Sequence, residues 1–317
     1  MSGAECIEVV ASRQALPWGV AVDDTSVYWT TFVDAGAVLK APKDPVDGGA
    51  PVVLAAGQLD PWYLALGSNA VYWTTLDVND PSVDVPGTVA GVGLDGGPAV
   101  LIAGSDQVPQ WIAVGGGQVY WIDGTGVVEA ELDGGGRTTV WSGGGALTSG
   151  FQGVATNSVG VYWTAGIETV SPPSFTGTVM TQPYGSNAIL TVSSNGEQPV
   201  DLAVDEQNVY WITQGSGSSQ PTYFGSIYRA PLDGGVPVPI ATNQPTPTAI
   251  ATDSTAVYWI DQGSATGQGK IMKAPLDGGS PSSLVSSLPN PLRLAVDATS
   301  VYWTDAVAGT VMKATPK

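Results

Sequence analysis

The triplet Val-Tyr-Trp occurs seven times in this chain, starting at Val27, Val71, Val119, Val161, Val209, Val257 and Val301. Successive copies lie 44, 48, 42, 48, 48 and 44 residues apart. Chance does not place a Trp-containing triplet seven times at near-constant spacing. A period in the forties matches four short strands per repeat, the blade of a propeller.

Two further elements recur with the triplet. Upstream of it stand PWGVAVD from Pro17, PVDLAVD from Pro199 and PLRLAVD from Pro291, and the alanine of this element is kept in all seven copies, from Ala21 to Ala295. Downstream come GSIYRAPLDGG from Gly225 and GKIMKAPLDGG from Gly269. Asp-Gly between apolar runs predicts a tight hairpin of type I′, whose central residues need positive φ. Each unit therefore reads as strands A (apolar-Ala-Val), B (Val-Tyr-Trp), C (Met-Lys-Ala) and D (the run after Asp-Gly-Gly). Strand B is large and apolar on both alternating faces, so it must be covered on both sides. Face-to-face stacking of sheets around a ring supplies that cover, and alanine suits a crowded innermost strand.

The expected fold is all-β: a single seven-bladed β-propeller of four antiparallel strands per blade, one domain over residues 1–317, with blades beginning near residues 17, 61, 109, 151, 199, 247 and 291. The last copy ends after its C strand. Residues 5–10, ahead of the first A strand, align with D strands and are expected to supply the outer strand of blade 7, leaving no unpaired edge there.

The AVD strand, VYWTD at residues 301–305 and LDGG together resemble the YWTD and NHL propeller repeats over nearly the whole chain, closest to secreted bacterial proteins and lipoproteins with VYW repeats. The resemblance implies a propeller. The YWTD propellers of lipoprotein receptors have six blades, whereas seven copies are present here, and the aspartate of VYWTD is kept only at Asp123, Asp261 and Asp305. Seven-bladed streptogramin-cleaving lyases resemble this architecture too, but they depend on histidine.

This chain has none. Its absence removes Ser-His-Asp and Cys-His mechanisms and His-ligated zinc. With 28 acidic against 10 basic residues the net charge is -18, which repels nucleic acid and anionic lipid. The lone Cys6 permits no internal disulfide. No apolar run reaches the roughly 18 residues of a membrane helix, so no membrane insertion is expected. Met1-Ser2-Gly3-Ala4 does not read as a leader. The acidic, Lys-poor composition suits an extracellular, periplasmic or cell-surface monomer, with a cytoplasmic location left open.

Aspartates at the A–B turn (Asp23, Asp205, Asp253, Asp297) and the C–D turn read as local backbone caps. Lys40, Arg229, Lys273 and Lys313 share one C-strand position and read as solvated outer charges. Function is sought where copies depart from the repeat. At the start of strand A, on the face carrying the D–A and B–C connections, stand Trp18, Trp62, Tyr63, Gln110, Trp111, Gln152, Asp201 and Arg293. Rings beside a few polar groups are the composition of a ligand site for a neutral or cationic glycan, peptide or small molecule; the same rings could instead plug the channel. No cofactor is required. The B–C loop of blade 2 carries Asp77, Asp80 and Asp84, candidate calcium ligands that lack the EF-hand spacing. Two alternatives stay open: a carboxylate- or metal-dependent hydrolase or lyase at the mouth, and a protein-interaction scaffold using the long loops of blades 2, 4 and 5.

Overall fold

A computed structural model describes residues 6–44, 50–76, 87–105, 107–142, 153–170, 173–194, 197–214 and 224–317. Its strands form seven four-stranded antiparallel sheets, and no helix occurs among the described residues. In six sheets the order is sequential, A-B-C-D. Strand A is Pro17–Val22 in blade 1, then Pro61–Leu66, Ile112–Gly115, Val154–Thr156, Gln198–Val204, Pro247–Thr252 and Pro291–Val296. Successive A strands touch, and that of blade 7 touches that of blade 1, which closes the ring.

The seventh sheet is assembled from both ends of the sequence. Cys6–Ala11 pairs antiparallel with Thr310–Thr315, from Cys6 opposite Thr315 to Ala11 opposite Val311, and so stands as the outer strand of blade 7.

The Val-Tyr-Trp strands explain why the blades stack. Seven apolar clusters lie between blades, and each joins the tyrosine of one blade to the tryptophan of the next: Tyr28 with Trp73, Tyr72 with Trp121, Tyr120 with Trp163, Tyr162 with Trp211, Tyr210 with Trp259, Tyr258 with Trp303, and Tyr302 back to Trp29. Alternation along strand B sends these side chains to opposite faces, so one triplet serves two interfaces. All seven tryptophans are fully buried. In two of the three copies that keep aspartate, Trp121 and Trp259 Nε1 donate to Asp123 and Asp261. Where Thr31 and Thr75 replace it, Trp29 and Trp73 donate to Gln14 and Gln58, at 3.0 and 3.2 Å.

A second interlock was not apparent from the repeat pattern. A glycine on strand C packs against a proline near the start of strand A of the next blade: Gly36 on Pro61, Gly87 on Pro109, Gly177 on Pro199, Gly225 on Pro247 and Gly269 on Pro291. A Cβ at Gly36 would lie 2.2 Å from Thr31 O and 2.5 Å from Pro61 Cδ, closer than any side chain tolerates.

Two expectations are corrected. The C–D hairpin is not an Asp-Gly type I′ turn: Gly96 N donates to Gly93 O across Leu94-Asp95, and positive φ falls on Gly96 and Gly97 (88° and 119°). The glycine pair that follows the turn, rather than its aspartate, takes the left-handed geometry. The C-strand cations are not solvated outer charges either. Lys313 is buried, Lys40 Nζ donates to Leu94 O at 2.5 Å, and Lys273 Nζ sits 5.6 Å from the Tyr258 ring centroid, because this position faces the gap between blades.

Candidate functional site at the channel mouth

Strand A bulges where it reaches the mouth. In blades 1, 2 and 7 two residues, Trp18-Gly19, Trp62-Tyr63 and Leu292-Arg293, stand between ladder pairs that are only two partner positions apart; Val200 and Thr248 are single extra residues in blades 5 and 6. A bulge bends the strand and re-aims its side chains. Threonines of strand B hold these segments to the neighbouring blade: Thr30 Oγ1 donates to Trp62 O and Thr304 Oγ1 to Trp18 O, both at 2.6 Å.

The bulged residues make one continuous cluster. Trp18 meets Trp62 edge-on at 5.9 Å, Trp62 meets Tyr63 at 4.9 Å, and Tyr63 stacks on Trp111 at 4.9 Å and 29°. Arg293 reaches from blade 7 past blade 1 to blade 2. Its guanidinium stands 4.8 Å from the Tyr63 centroid and its Nη2 donates to Tyr63 Oη at 2.5 Å. Blade 1 has Gly19 at the equivalent position, where a Cβ would come within 2.8 Å of Trp62 O. Tyr63 is buried, while Trp18, Trp62 and Trp111 keep part of their rings exposed. Phe32 completes the cluster, 5.2 Å from Trp18 and 5.9 Å from Trp62. Phe32 was not among the residues expected at the mouth. The signal was available: at this position after strand B the other copies hold Leu76, Gly124, Gly166, Gln214, Gln262 and Ala306, so Phe32 is the one aromatic.

Asp201 stands on strand A of blade 5, where it accepts from Leu202 N at 2.9 Å and Ile250 N at 3.2 Å. Burial pushes its carboxyl up to about 6, although the charge of Arg293 and the two backbone donors pull the other way. Burial likewise raises Tyr63, against the opposing pull of Arg293. Trp18, Trp62 and Trp111 Nε1 and Arg293 Nε are buried without a hydrogen-bond partner among the described residues. Trp163 and Trp303 Nε1 share that state inside the blades, so what distinguishes the mouth is four such donors in one cluster.

Of the remaining candidates, Gln110 is part-buried beside Trp111, its backbone N–H bonded to Ile122 O at 2.7 Å. Gln152, Asp77, Asp80 and Asp84 lie outside the described residues. Among the described residues no three acidic or Cys side chains converge to hold a metal ion. Asp123, Asp261 and Asp305 are buried in the blades and satisfy local donors, as when Asp305 accepts from Asn290 and Ala308 N.

The carboxyls give stability a pH dependence with a definite sign. A group whose folded pKa exceeds its unfolded value binds more protons when folded, so stability falls as pH rises between the two values. Asp201 (about 6) and Asp261 (about 7, raised by burial) act in this sense above about pH 4. Asp253 and Asp297 act oppositely. Burial pushes them up, but Lys317 and Lys43 respectively, with turn backbone donors, hold them below the usual carboxylate range, and their contribution is lost on acidification. Asp201→Asn removes one component only. Between about pH 5 and about pH 7.5 the wild type is expected to lose about 1 kcal/mol more than this variant in urea unfolding. Parallel profiles for the two proteins would show that the Asp201 carboxyl is not desolvated.

No family model matches the sequence, and no curated protein matches it. Solved structures do. YCF48 bound to D1 peptide aligns with TM-score 0.61 and 12% identity over 99% of this chain and 96% of that one. The WD40 β-propeller domain of Doa1 aligns with TM-score 0.61 and 12% identity, covering 98% and 97%. Oligogalacturonate lyase in complex with manganese aligns with TM-score 0.58 and 11% identity, covering 84% and 77%. At such identity these likenesses establish the β-propeller fold alone.

Proposed function

We propose that the protein is a non-catalytic recognition module that holds a neutral or cationic glycan, peptide or small molecule at the mouth of its central channel. The observation that supports this reading is the aromatic cluster. Three part-exposed indoles and Phe32 are in contact at one end of the channel, where seven inner strands converge. Packing alone does not require large rings to stay part-exposed, whereas stacking on a sugar face or a peptide side chain does. Arg293 and Asp201 supply opposite charges beside the rings, able to orient hydroxyls and amides. The YWTD-like repeats and the acidic, Lys-poor composition favour a protein of the cell exterior.

A thermal-shift screen of oligosaccharides and peptides against wild type, Trp18→Ala and Trp62→Ala tests the reading. A ligand at one hundred times its dissociation constant adds roughly 2.7 kcal/mol of apparent stability. The expected result is a stabilising ligand whose effect both variants lose. A ligand that stabilises the variants as much as the wild type would place binding elsewhere.

A second reading, a protein-interaction scaffold, is favoured by one observation. Strands B and C of blade 4, Gly160–Val170 and Pro173–Pro183, run 11 residues each, longer than any other strand described, and extend the hairpin beyond its neighbours on this face.

A further inference from the structure

On the opposite face, each core tyrosine has two neighbouring positions whose charge differs from blade to blade. In blades 1, 5, 6 and 7 its hydroxyl donates to the aspartate of the A–B turn, at 2.7 Å for Tyr28 to Asp23 and 3.0 Å for Tyr258 to Asp253. Its cross-strand neighbour on strand C is a cation: Lys40, Arg229, Lys273 or Lys313. Blade 6 shows the complete arrangement. Lys317 Nζ lies 5.2 Å and Lys273 Nζ 5.6 Å from the Tyr258 centroid, and Lys317 is paired with Asp253. An ammonium over this tyrosine, beside a carboxylate, is thus an arrangement the fold already holds. Blades 2 and 4 are neutral at both positions, with Gly67 and Gly91 around Tyr72 and Asn157 and Thr181 around Tyr162.

Blade 3 alone inverts the pattern. Its A–B turn is Gly115-Gly116-Gly117, with no aspartate, and the cross-strand neighbour of Tyr120 is Glu129. Glu129 accepts from Thr138 Oγ1 at 3.1 Å, but none of the ten Lys and Arg residues, all of them described, pairs with it. A second departure from the repeat meets the first. The C–D turn of blade 4 is Pro183-Tyr184-Gly185-Ser186 in place of Pro-Leu-Asp-Gly. Tyr184 lies against the glycines of blade 3, where a Cβ on Gly116 would come within 2.6 Å of its ring, and it stacks with Tyr120 at 6.4 Å and 26°. Between the two blades a cleft of about 320 Å³ opens, lined among others by Gln118, Tyr120, Glu129, Gln182, Tyr184 and Ser186. That volume falls in the range of small-molecule sites.

We propose that this cleft binds a small organic ammonium, whose cation takes beside Tyr120, Tyr184 and Glu129 the place that lysine holds in blade 6. Tyrosine faces attract a cation within about 6 Å of the ring centroid, and the Glu129 carboxylate supplies the counter-charge. The net charge of -18 adds long-range attraction. The amide and hydroxyl groups of Gln118, Gln182 and Ser186 supply acceptors for the N–H groups of a primary amine, and the two rings supply apolar contact for a quaternary one.

Isothermal titration calorimetry with choline and with butylammonium, at ionic strength matched with sodium chloride, tests this. The neutral isostere of choline, with carbon in place of nitrogen, is the control. At least one of the two cations is expected to bind saturably at one site, and the control at least tenfold more weakly. Glu129→Gln, which keeps the bond from Thr138, is expected to weaken the cation at least tenfold with little change in unfolding temperature. Trp62→Ala, at the channel mouth, is expected to leave it unchanged, so the outcome is independent of the mouth reading. Absence of saturable binding by both cations, wild-type affinity in Glu129→Gln, or loss of binding in Trp62→Ala would overturn the proposal.

Discussion

A chain lacking residues 1–11 is expected to unfold at a clearly lower urea concentration than the full chain, with a loss on the order of 3–5 kcal/mol. Two effects combine. Val10 and Ala11 are buried in the cluster that joins blade 7 to blade 1, with Trp29, Tyr302 and Val311, and their removal opens that interface to water. The strand Cys6–Ala11 also runs on into strand A of blade 1, so the same covalent stretch that completes blade 7 fastens it to its neighbour. Without it the closing interface keeps contacts such as Gln14 N to Gly309 O, at 2.9 Å, but loses the paired strand that raises their effective concentration. A peptide of residues 1–16 added in trans should restore part of the lost stability. An unchanged urea midpoint after truncation would mean that the ring closes without this strand.

Gly36→Ala is the second large effect. The added methyl group meets two fixed backbone oxygens, Thr31 O at 2.2 Å and Val33 O at 2.8 Å, as well as Pro61 Cδ at 2.5 Å. None of these is the end of a flexible side chain, so strand C of blade 1 must shift away both from the end of its own strand B and from strand A of blade 2. The expected cost is about 3 kcal/mol, at the upper end of overpacking. Gly57→Ala is a contrasting control: its Cβ would meet nothing within 4 Å, and its φ of 66° makes the substitution a matter of backbone strain alone. Urea unfolding of both variants separates the two causes. A loss for Gly36→Ala below that of Gly57→Ala would refute close packing between blades at this point.

The ring was legible in the sequence because its largest apolar side chains recur in one triplet, and a strand apolar on both faces has few folds open to it. Tyr28 and Trp73 could be recognised as core without knowing that they share one cluster; that pairing depends on the order of blades around the ring. The Gly–Pro interlock escaped notice because its partners belong to different strands and lie 25 residues apart in blades 1 and 2, and neither residue is unusual in a turn-rich chain. At the mouth, position along strand A was enough to nominate Trp18, Trp62, Tyr63 and Trp111. That Arg293 lies on Tyr63 was not readable, since it depends on the bulges in two strands whose blades are not adjacent in the ring. The Lys/Glu contrast at the Tyr120 position was also present in the repeat alignment. Its meaning emerged only when Tyr184, from the next blade, was found against the same glycines.

The Gly–Pro contacts also bear on how a ring of this kind can grow or be recombined. Pro61 is one of the groups that exclude a side chain at Gly36, and Pro61 belongs to the following sheet. A segment excised at the visible boundary between two blades would separate these partners, whereas one running from strand C of one blade through strand B of the next would carry both. The heritable module, the piece that can be duplicated or exchanged without breaking its own fit, is therefore offset by half a blade from the module that the eye picks out.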